Sequence, residues 1–394
     1  MSGVGRPVYL DYAATTPVDP RVAAAMSACL TLEGEFGNPG SASHSFGEAA
    51  AALVDTARVQ VAAAVGAKPQ EVIWTSGATE ADNLAIFGCA EHYRERGLHI
   101  VTSRTEHKAV LDPCRELERR GWRVTYLTPD RGGLIHPEQV EAALEADTVL
   151  VSIMHVNNEI GVVQDIAGIG AVCAKHGGAR LHVDAAQSVG KCAVDFAGLG
   201  AHLMSLSAHK VYGPKGVGAL VVAEGGRGGG VRLTAQQFGG GQERGLRAGT
   251  VATHQVVGMG LAFSLAMEAP EAESARAAQL RDRLWRGISE LGGVLRNGDA
   301  ERSVPQLLNV SFEGVEGESL LAAVAGRVAV SAGSACTSAL QEPSYVLRAL
   351  GRGDHLSESS LRFGLGRFTT QSDIDSVVAA VTQAVLRLRR ISGS

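Results

Sequence analysis

Between positions 71 and 222 short apolar runs alternate with stretches of helical periodicity. Runs at 71–74, 100–103, 124–127, 149–154, 181–183, 203–207 and 218–222 predict strands. Segments 82–96, 108–120, 137–145 and 166–176 predict helices between most of them. Near-continuous apolar strands alternating with helices predict a largely parallel sheet covered on both faces. The last two runs are joined by a short turn after Lys210, so the sheet is expected to be mixed. Two glycine-rich loops follow, at 225–230 and from 239, the second carrying Glu243, Arg244, Arg247 and Thr250. A long helical region is predicted over 256–291, with charges on one face between Glu268 and Arg286. The remainder reads as a smaller α+β unit, with strands at 309–312 and 328–331 and helices at 317–324 and 373–388.

Composition narrows the picture. The 394 residues are 45% hydrophobic, which favours one large domain plus a smaller one. Aromatics make up only 5%, too few for a nucleic-acid stacking surface, and the net charge of −5 implies no polyanionic partner. The first residues, Met1 to Pro7, lack an apolar segment, and no apolar run approaches the ~18 residues of a membrane span, so neither a signal peptide nor a span is expected. The cysteines Cys29, Cys89, Cys114, Cys173, Cys192 and Cys336 form no C-x-x-C pair. That argues against a zinc site or a disulfide framework and suits a reducing cytoplasm.

The polar residues collect where open α/β sheets bind ligands, beyond the carboxyl ends of the strands. After 71–74 comes Thr75-Ser76-Gly77-Ala78-Thr79-Glu80, a small-residue turn into a helix that could cradle phosphate, though any helix N-cap looks similar. After 100–103 comes His107, able to stack on a flat ring or to be an ordinary loop histidine. After 149–154 come Asn157 and Asn158, an amide pair suited to a carboxylate or a ring oxygen, or to a turn. Asp184 ends a buried strand and needs a cation, such as a pyridinium nitrogen, unless it is a helix cap; Gln187 lies one turn on. Ser207, His209 and Lys210 end the next strand. A lysine there is a solvated loop residue or an amine that bonds an aldehyde, of which pyridoxal phosphate (PLP) is the commonest. Each signal is weak alone; five strand ends taken in order make a set.

Two later segments add chemistry. Ser331-Ala332-Gly333-Ser334-Ala335-Cys336-Thr337-Ser338 is built of small residues around one accessible thiol, either a nucleophile or a small hydrophobe in a turn. Ser360 to Arg367 sets Arg362 in an apolar run, where it could clamp a carboxylate bidentately; a surface salt bridge suits Arg367 better.

These residues resemble bacterial cysteine desulfurases of the IscS/NifS type, fold-type I PLP enzymes related to the class V aminotransferases. The likeness runs from Val8-Tyr9-Leu10-Asp11-Tyr12-Ala13-Ala14-Thr15-Thr16-Pro17 to about Leu388. It includes Phe36-Gly37-Asn38-Pro39, Thr105-Glu106-His107-Lys108 and Ser334-Ala335-Cys336-Thr337-Ser338. It implies an α/β large domain with a mainly parallel seven-stranded sheet over 17–265 and a smaller α+β domain from 1–16 and 266–394. In that family pattern Lys210 carries the cofactor aldehyde, His107 stacks on the ring as an acid–base group, Asp184 meets the pyridinium and Gln187 the phenolic oxygen. Ala78, Thr79, Ser207 and His209 hold the phosphate, and Thr250 reaches in from the second subunit of a homodimer. Asn158 and Arg362 bind the carboxylate of L-cysteine. Cys336 takes the sulfur as a persulfide, leaving alanine, and could be a transient iron–sulfur ligand; no structural metal is implied. Implied partners are an acceptor such as an iron–sulfur scaffold, or tRNA thiolation. Ala208 and Gln242 depart from common family residues, and the chain ends at Ser394 where scaffold-docking members continue, which bears on docking and leaves the chemistry alone. A selenocysteine lyase, a cysteine-sulfinate desulfinase and a silent scaffold on the same fold are the alternatives.

Overall fold

The computed structural model describes residues 6–224, 230–332 and 343–393. Each of the seven apolar runs between 71 and 222 forms a strand of one sheet. From edge to edge the order is Val72–Thr75, Gly218–Val222, Leu203–Ser207, Arg180–Asp184, Thr148–Ser152, His99–Ser103 and Arg123–Leu127. Gly218–Val222 runs antiparallel to both neighbours and the other pairs are parallel, so the sheet is mixed as expected. Apolar side chains on both faces are buried: Val101, Val151 and Leu181 in one cluster, Ile73, Ile100 and Leu150 in the other. At roughly 1.5–3 kcal/mol for each large apolar side chain, this two-faced burial dominates the stabilisation of the sheet. It also fixes the register that brings the strand ends level.

A second, antiparallel sheet joins Val294–Asn297, Leu307–Phe312 and Ser360–Gly364. The helices Pro270–Ser289 and Gln371–Ser392 cover it through a cluster that includes Leu284, Phe312, Phe363 and Val381. The start of the chain belongs with this unit: Val8–Tyr9 pairs parallel with Val328–Ala329, and Leu10 is fully buried in the same cluster.

Three expectations need correction. The region 256–291 is two helices, Thr253–Ala266 and Pro270–Ser289, because Pro270 has no N–H to give a continuing helix and serves as the first residue of a new one. The strand at 328–331 is shorter, Val328–Ala329, with Ser331 bridging to Arg362 instead. Helices Pro20–Ser27 and Ser45–Ala64 and strands Val294–Asn297 and Ser360–Gly364 were not anticipated as elements. Ser45–Ala64 is alanine-rich and packs closely on Thr253–Ala266; its small side chains give weak periodicity. Among the described residues no helix is long and apolar enough to cross a membrane, and Cys29, Cys89, Cys114, Cys173 and Cys192 are free thiols.

Candidate active site

The carboxyl ends of the strands open into a cleft of about 530 Å³. Its first wall is the turn from Val72–Thr75 into helix Ala78–Tyr93. Gly77, the residue before the helix, has φ +150°, a conformation open essentially to glycine alone. A Cβ on Gly218 would lie 2.7 Å from the Gly77 carbonyl carbon and 2.4 Å from the Leu206 oxygen, so only glycine lets the strand carry the turn this closely. Ala78 and Thr79 line the cleft with the first-turn N–H groups, which lack intrahelical acceptors. Glu80 turns back to accept from Ser76 N at 2.8 Å and is itself held by Arg247 at 2.8 Å.

His107 precedes helix Lys108–Arg119, and its Nδ1 accepts from Ala109 N at 3.1 Å. The neutral ring therefore carries its proton on Nε2. Burial, and then Lys210, lower its pKa and favour that neutral form. Asp184 ends strand Arg180–Asp184, and its Oδ1 accepts from Ala186 N at 2.9 Å. Burial, and next the neighbouring Asp82 carboxyl, push its pKa up to about 6. Gln187 Nε2 donates to the Ala13 carbonyl at 2.8 Å. Ser207 is buried at its strand end, and His209 Nδ1 meets Thr15 Oγ1 at 3.1 Å. Burial lowers the His209 pKa to about 4, with Lys210 the next cause.

Lys210 enters the cleft from a turn pinned two residues later. Tyr212 has φ +64°, unfavourable for a bulky residue. Thr16 Oγ1 accepts from its N–H at 2.8 Å, and Arg367 lies 4.3 Å over its ring. Arg367 also pairs with Asp19 at 2.8 Å and Glu273 at 2.7 Å, so it is more enclosed than a surface bridge.

The opposite wall centres on Arg362, 2% exposed. Its Nη2 meets Asp11 Oδ1 at 2.9 Å and its Nη1 donates to the Asn158 carbonyl at 3.0 Å. Among the described residues Arg362 Nε and Asn158 Oδ1 are buried without a hydrogen-bond partner. Ser331 Oγ donates to Asp11 Oδ2 at 2.9 Å, and Ser344 Oγ donates to buried Glu159 at 2.5 Å.

Ala78, Thr79, His107, Asn158, Asp184, Gln187, Ser207, His209, Lys210 and Arg362 thus all line one cleft. Thr250 is exposed and is not among the residues lining it. Cys336 lies outside the described residues. Sequence reasoning missed roles for Asp11, Asp82 and Glu159. Asp82 had a signal, since it lies three residues beyond Thr79 on one helix face. Asp11 had none, because its partner is 351 residues away.

The residues fit PLP. The first-turn N–H groups at Ala78 and Thr79 line the cleft, Asp184 is a buried carboxylate with one oxygen uncommitted to the backbone, and Arg362 Nε is a buried donor with no partner among the described residues. Comparison with known proteins agrees. The chain is 59% identical over 386 residues to cysteine desulfurase IscS of Pectobacterium atrosepticum, covering 98% of this chain and 94% of that one. A NifS-like protein superposes with a TM-score of 0.89 at 33% identity, covering 97% of this chain and 100% of the other. A structure described as SspA in complex with cysteine matches with a TM-score of 0.80 at 38% identity over 92% and 99%. The family described as Aminotransferase class-V matches residues 8–377, and the chain belongs to it.

Proposed function

We propose that the protein is a PLP-dependent cysteine desulfurase. It takes the sulfur of L-cysteine, releases L-alanine and leaves a persulfide on Cys336 for an acceptor protein such as an iron–sulfur scaffold. The observation that carries this reading is the cleft's polarity. One cleft brings together Asp184, Lys210 and the buried guanidinium of Arg362, whose Nε is uncommitted among the described residues. The names of the similar proteins support the same reading.

In this reading Ala78, Thr79, Ser207 and His209 hold the cofactor phosphate, Asp184 keeps the ring nitrogen protonated and Gln187 faces the phenolic oxygen. When bound, PLP withdraws electrons from the α-carbon of the substrate. Lys210 is the amine that carries the cofactor. His107, neutral with its proton on Nε2, would stack on the ring and would move a proton at the substrate nitrogen. Asn158 and Arg362 bind the substrate carboxylate, and Asp11 orients the guanidinium. The Cys336 thiolate forms an S–S bond to the substrate sulfur as the C–S bond breaks. The electron pair stays on carbon, which takes up a proton to become alanine. Cysteine plus enzyme thiol thus give alanine plus enzyme persulfide.

We also infer a cytoplasmic homodimer, with Thr250 serving the partner's cleft. Exposed Thr250 and the exposed rings of Phe36, Phe46 and Phe238 (83% exposed) support it. The division into a large domain over 17–265 and a small one from 1–16 and 266–394 is supported by Leu10 packing with the second sheet. The test is Cys336→Ser assayed with L-cysteine and a reducing thiol. The variant is expected to keep the bound cofactor's colour and lose sulfide release by at least about 100-fold. Undiminished sulfur transfer would refute the persulfide role.

A further inference from the structure

The turn that would receive the cofactor phosphate contains a carboxylate: Ser76, Ala78, Thr79 and Glu80 line the same cleft. An acid beside an anion site repels what the site must hold. Glu80 shapes the turn, since its Oε2 accepts from Ser76 N at 2.8 Å. Its charge is met from outside the turn. Arg247 Nε donates to Glu80 Oε1 at 2.8 Å, and Arg247 Nη2 donates to Oε2 at 3.4 Å. Lys108, Lys210 and Lys215 also line the cleft, but among the described residues Arg247 is the cation paired with Glu80. The pair is largely enclosed, its side chains 20% and 25% exposed, so water screens it only in part.

Arg247 comes from the loop that follows Gly239, and that loop is bent under strain. Glu243 and Arg244 are consecutive residues with side chains at φ +46° and +58°, a region that favours glycine. The Glu243 carboxylate holds the bend. It accepts from Trp74 N at 2.8 Å and from the two Nη groups of Arg58 at 3.0 and 2.8 Å. Farther along, Gln242 Oε1 accepts from Gly249 N and Gln237 Nε2 donates to the Ala248 carbonyl, each at 2.9 Å. The loop is therefore fastened to Trp74 through Glu243 and to Ser76 through Arg247 and Glu80. These two points flank Thr75, where the strand ends and the phosphate turn begins. Strain held this firmly points to a use for the geometry it enforces, which is Arg247 on Glu80.

We propose that Arg247 is a positioning residue that cancels the Glu80 charge at the phosphate turn, so that seating of loop 239–250 and binding of a phosphate there favour one another. The inference rests on the reading of Ala78 and Thr79 as phosphate ligands given above and adds a residue that acts through Glu80. With the loop unseated, the Glu80 carboxylate faces the phosphate alone; with it seated, the pair is neutral. The link is reciprocal: the factor by which a seated loop raises phosphate affinity is the factor by which phosphate favours the seated loop. The same loop carries Thr250, so in the homodimer inferred above a filled turn in one subunit steadies the residue that serves the partner's cleft.

The test titrates cofactor-free wild type, Arg247→Gln, Glu80→Gln and the double variant with PLP and with pyridoxal, which lacks the phosphate, followed by visible absorption. Arg247→Gln is expected to weaken PLP about tenfold and pyridoxal by less than about twofold. Glu80→Gln is expected to bind PLP as tightly as wild type or more tightly, and the double variant to return to within about threefold of wild type. Equal losses of PLP and pyridoxal in Arg247→Gln overturn the proposal, as does a double variant no better than Arg247→Gln; either result makes Arg247 a structural tie. The second readout is amide hydrogen exchange over residues 242–249, with inorganic phosphate as the probe. Phosphate is expected to slow exchange several-fold in wild type and to leave Arg247→Gln unchanged. Equal slowing in both, or none in wild type, overturns the link. Should Arg247→Gln not fold, Glu80→Gln still decides, because a tenfold loss of PLP affinity there makes Glu80 a holding group and overturns the proposal. Should wild type take up neither PLP nor pyridoxal, the functional reading fails, while the exchange comparison with phosphate still tests the link.

Discussion

On the floor of the cleft three acids, Asp82, Glu106 and Asp184, are buried close to one another, with Lys210 a neighbouring cation. Among the described residues Asp82 has neither carboxylate oxygen in a well-formed hydrogen bond, and His182 Nε2 lies 3.5 Å from Oδ1. Burial raises Asp82 to about 7, with the Ser205 hydroxyl and Lys210 pulling it back, and lowers His182 to about 4. Glu106 accepts from Met154 N at 2.9 Å and has its other oxygen unpartnered. On the wall around Arg362 the buried charges are tied instead: Arg362 to Asp11 and the Asn158 carbonyl, Glu159 to Ser344. The floor gathers several buried acids around Lys210, and the wall has one donor left over among the described residues. A ligand that is cationic at its ring end and carries a substrate carboxylate at the other completes both.

The largest test of that contrast lies on the floor. Asp184→Asn keeps the shape and removes the charge that the ring nitrogen would face. Breaking such a buried pair costs about 3–5 kcal/mol, so kcat/KM for L-cysteine is expected to fall about 10²–10⁴-fold, measured by sulfide release. Asp82→Asn in the same assay is expected to lose less than about tenfold, because Asp82 is readily neutral. Equal losses in the two variants would mean that the floor carries its charge jointly.

On the wall the expected effect is smaller and of another kind. Arg362→Lys keeps a charge and loses the planar fork. Charged hydrogen bonds contribute about 1.5–3 kcal/mol, so KM for L-cysteine is expected to rise about 10–100-fold, with kcat changed less. Asp11→Asn leaves the guanidinium in place but loosens it, with a rise of about tenfold expected. A fall in kcat with KM unchanged would contradict the assignment of Arg362 to ground-state binding.

The two regions also differ in how far the sequence discloses them. The floor is built from strand ends, and five strands of the large sheet close on a polar residue, Thr75, Ser103, Ser152, Asp184 and Ser207. Asp184, Ser207 and Lys210 were therefore legible from periodicity and the strand-end rule. The wall depends on contacts between distant parts of the chain: Asp11 reaches Arg362, and Ser344 reaches Glu159 across 185 residues. No local pattern encodes such a pair. Arg362 stood out because a charge in an apolar run is locally odd, while Asp11 looked like any polar residue after Leu10. Helix Ser45–Ala64 was lost for a related reason, since alanine gives a helix without marking its buried face.

The smallest expected effect concerns the wall's own acid. Burial raises the Glu159 pKa from 4.5 to about 7, while the Ser344 hydrogen bond and then Arg362 oppose the rise. The folded chain therefore holds this proton in a range where the unfolded chain has released it. Where the folded state binds more protons, stability falls as pH rises, so Glu159 costs stability progressively between about pH 4.5 and pH 7. Glu159→Gln cannot titrate, and the drop in Tm from pH 5 to pH 7 is expected to shrink by about 2–4 °C relative to wild type. Ser344→Ala removes a bond to the ionised form and is expected to enlarge that drop. Since Glu159 has a hydroxyl partner and Asp82 has no well-formed one, Asp82→Asn should flatten the same profile at least as much as Glu159→Gln. If Glu159→Gln flattened it more, the tied acid would be the more strained of the two, and the contrast between floor and wall would have to be reversed.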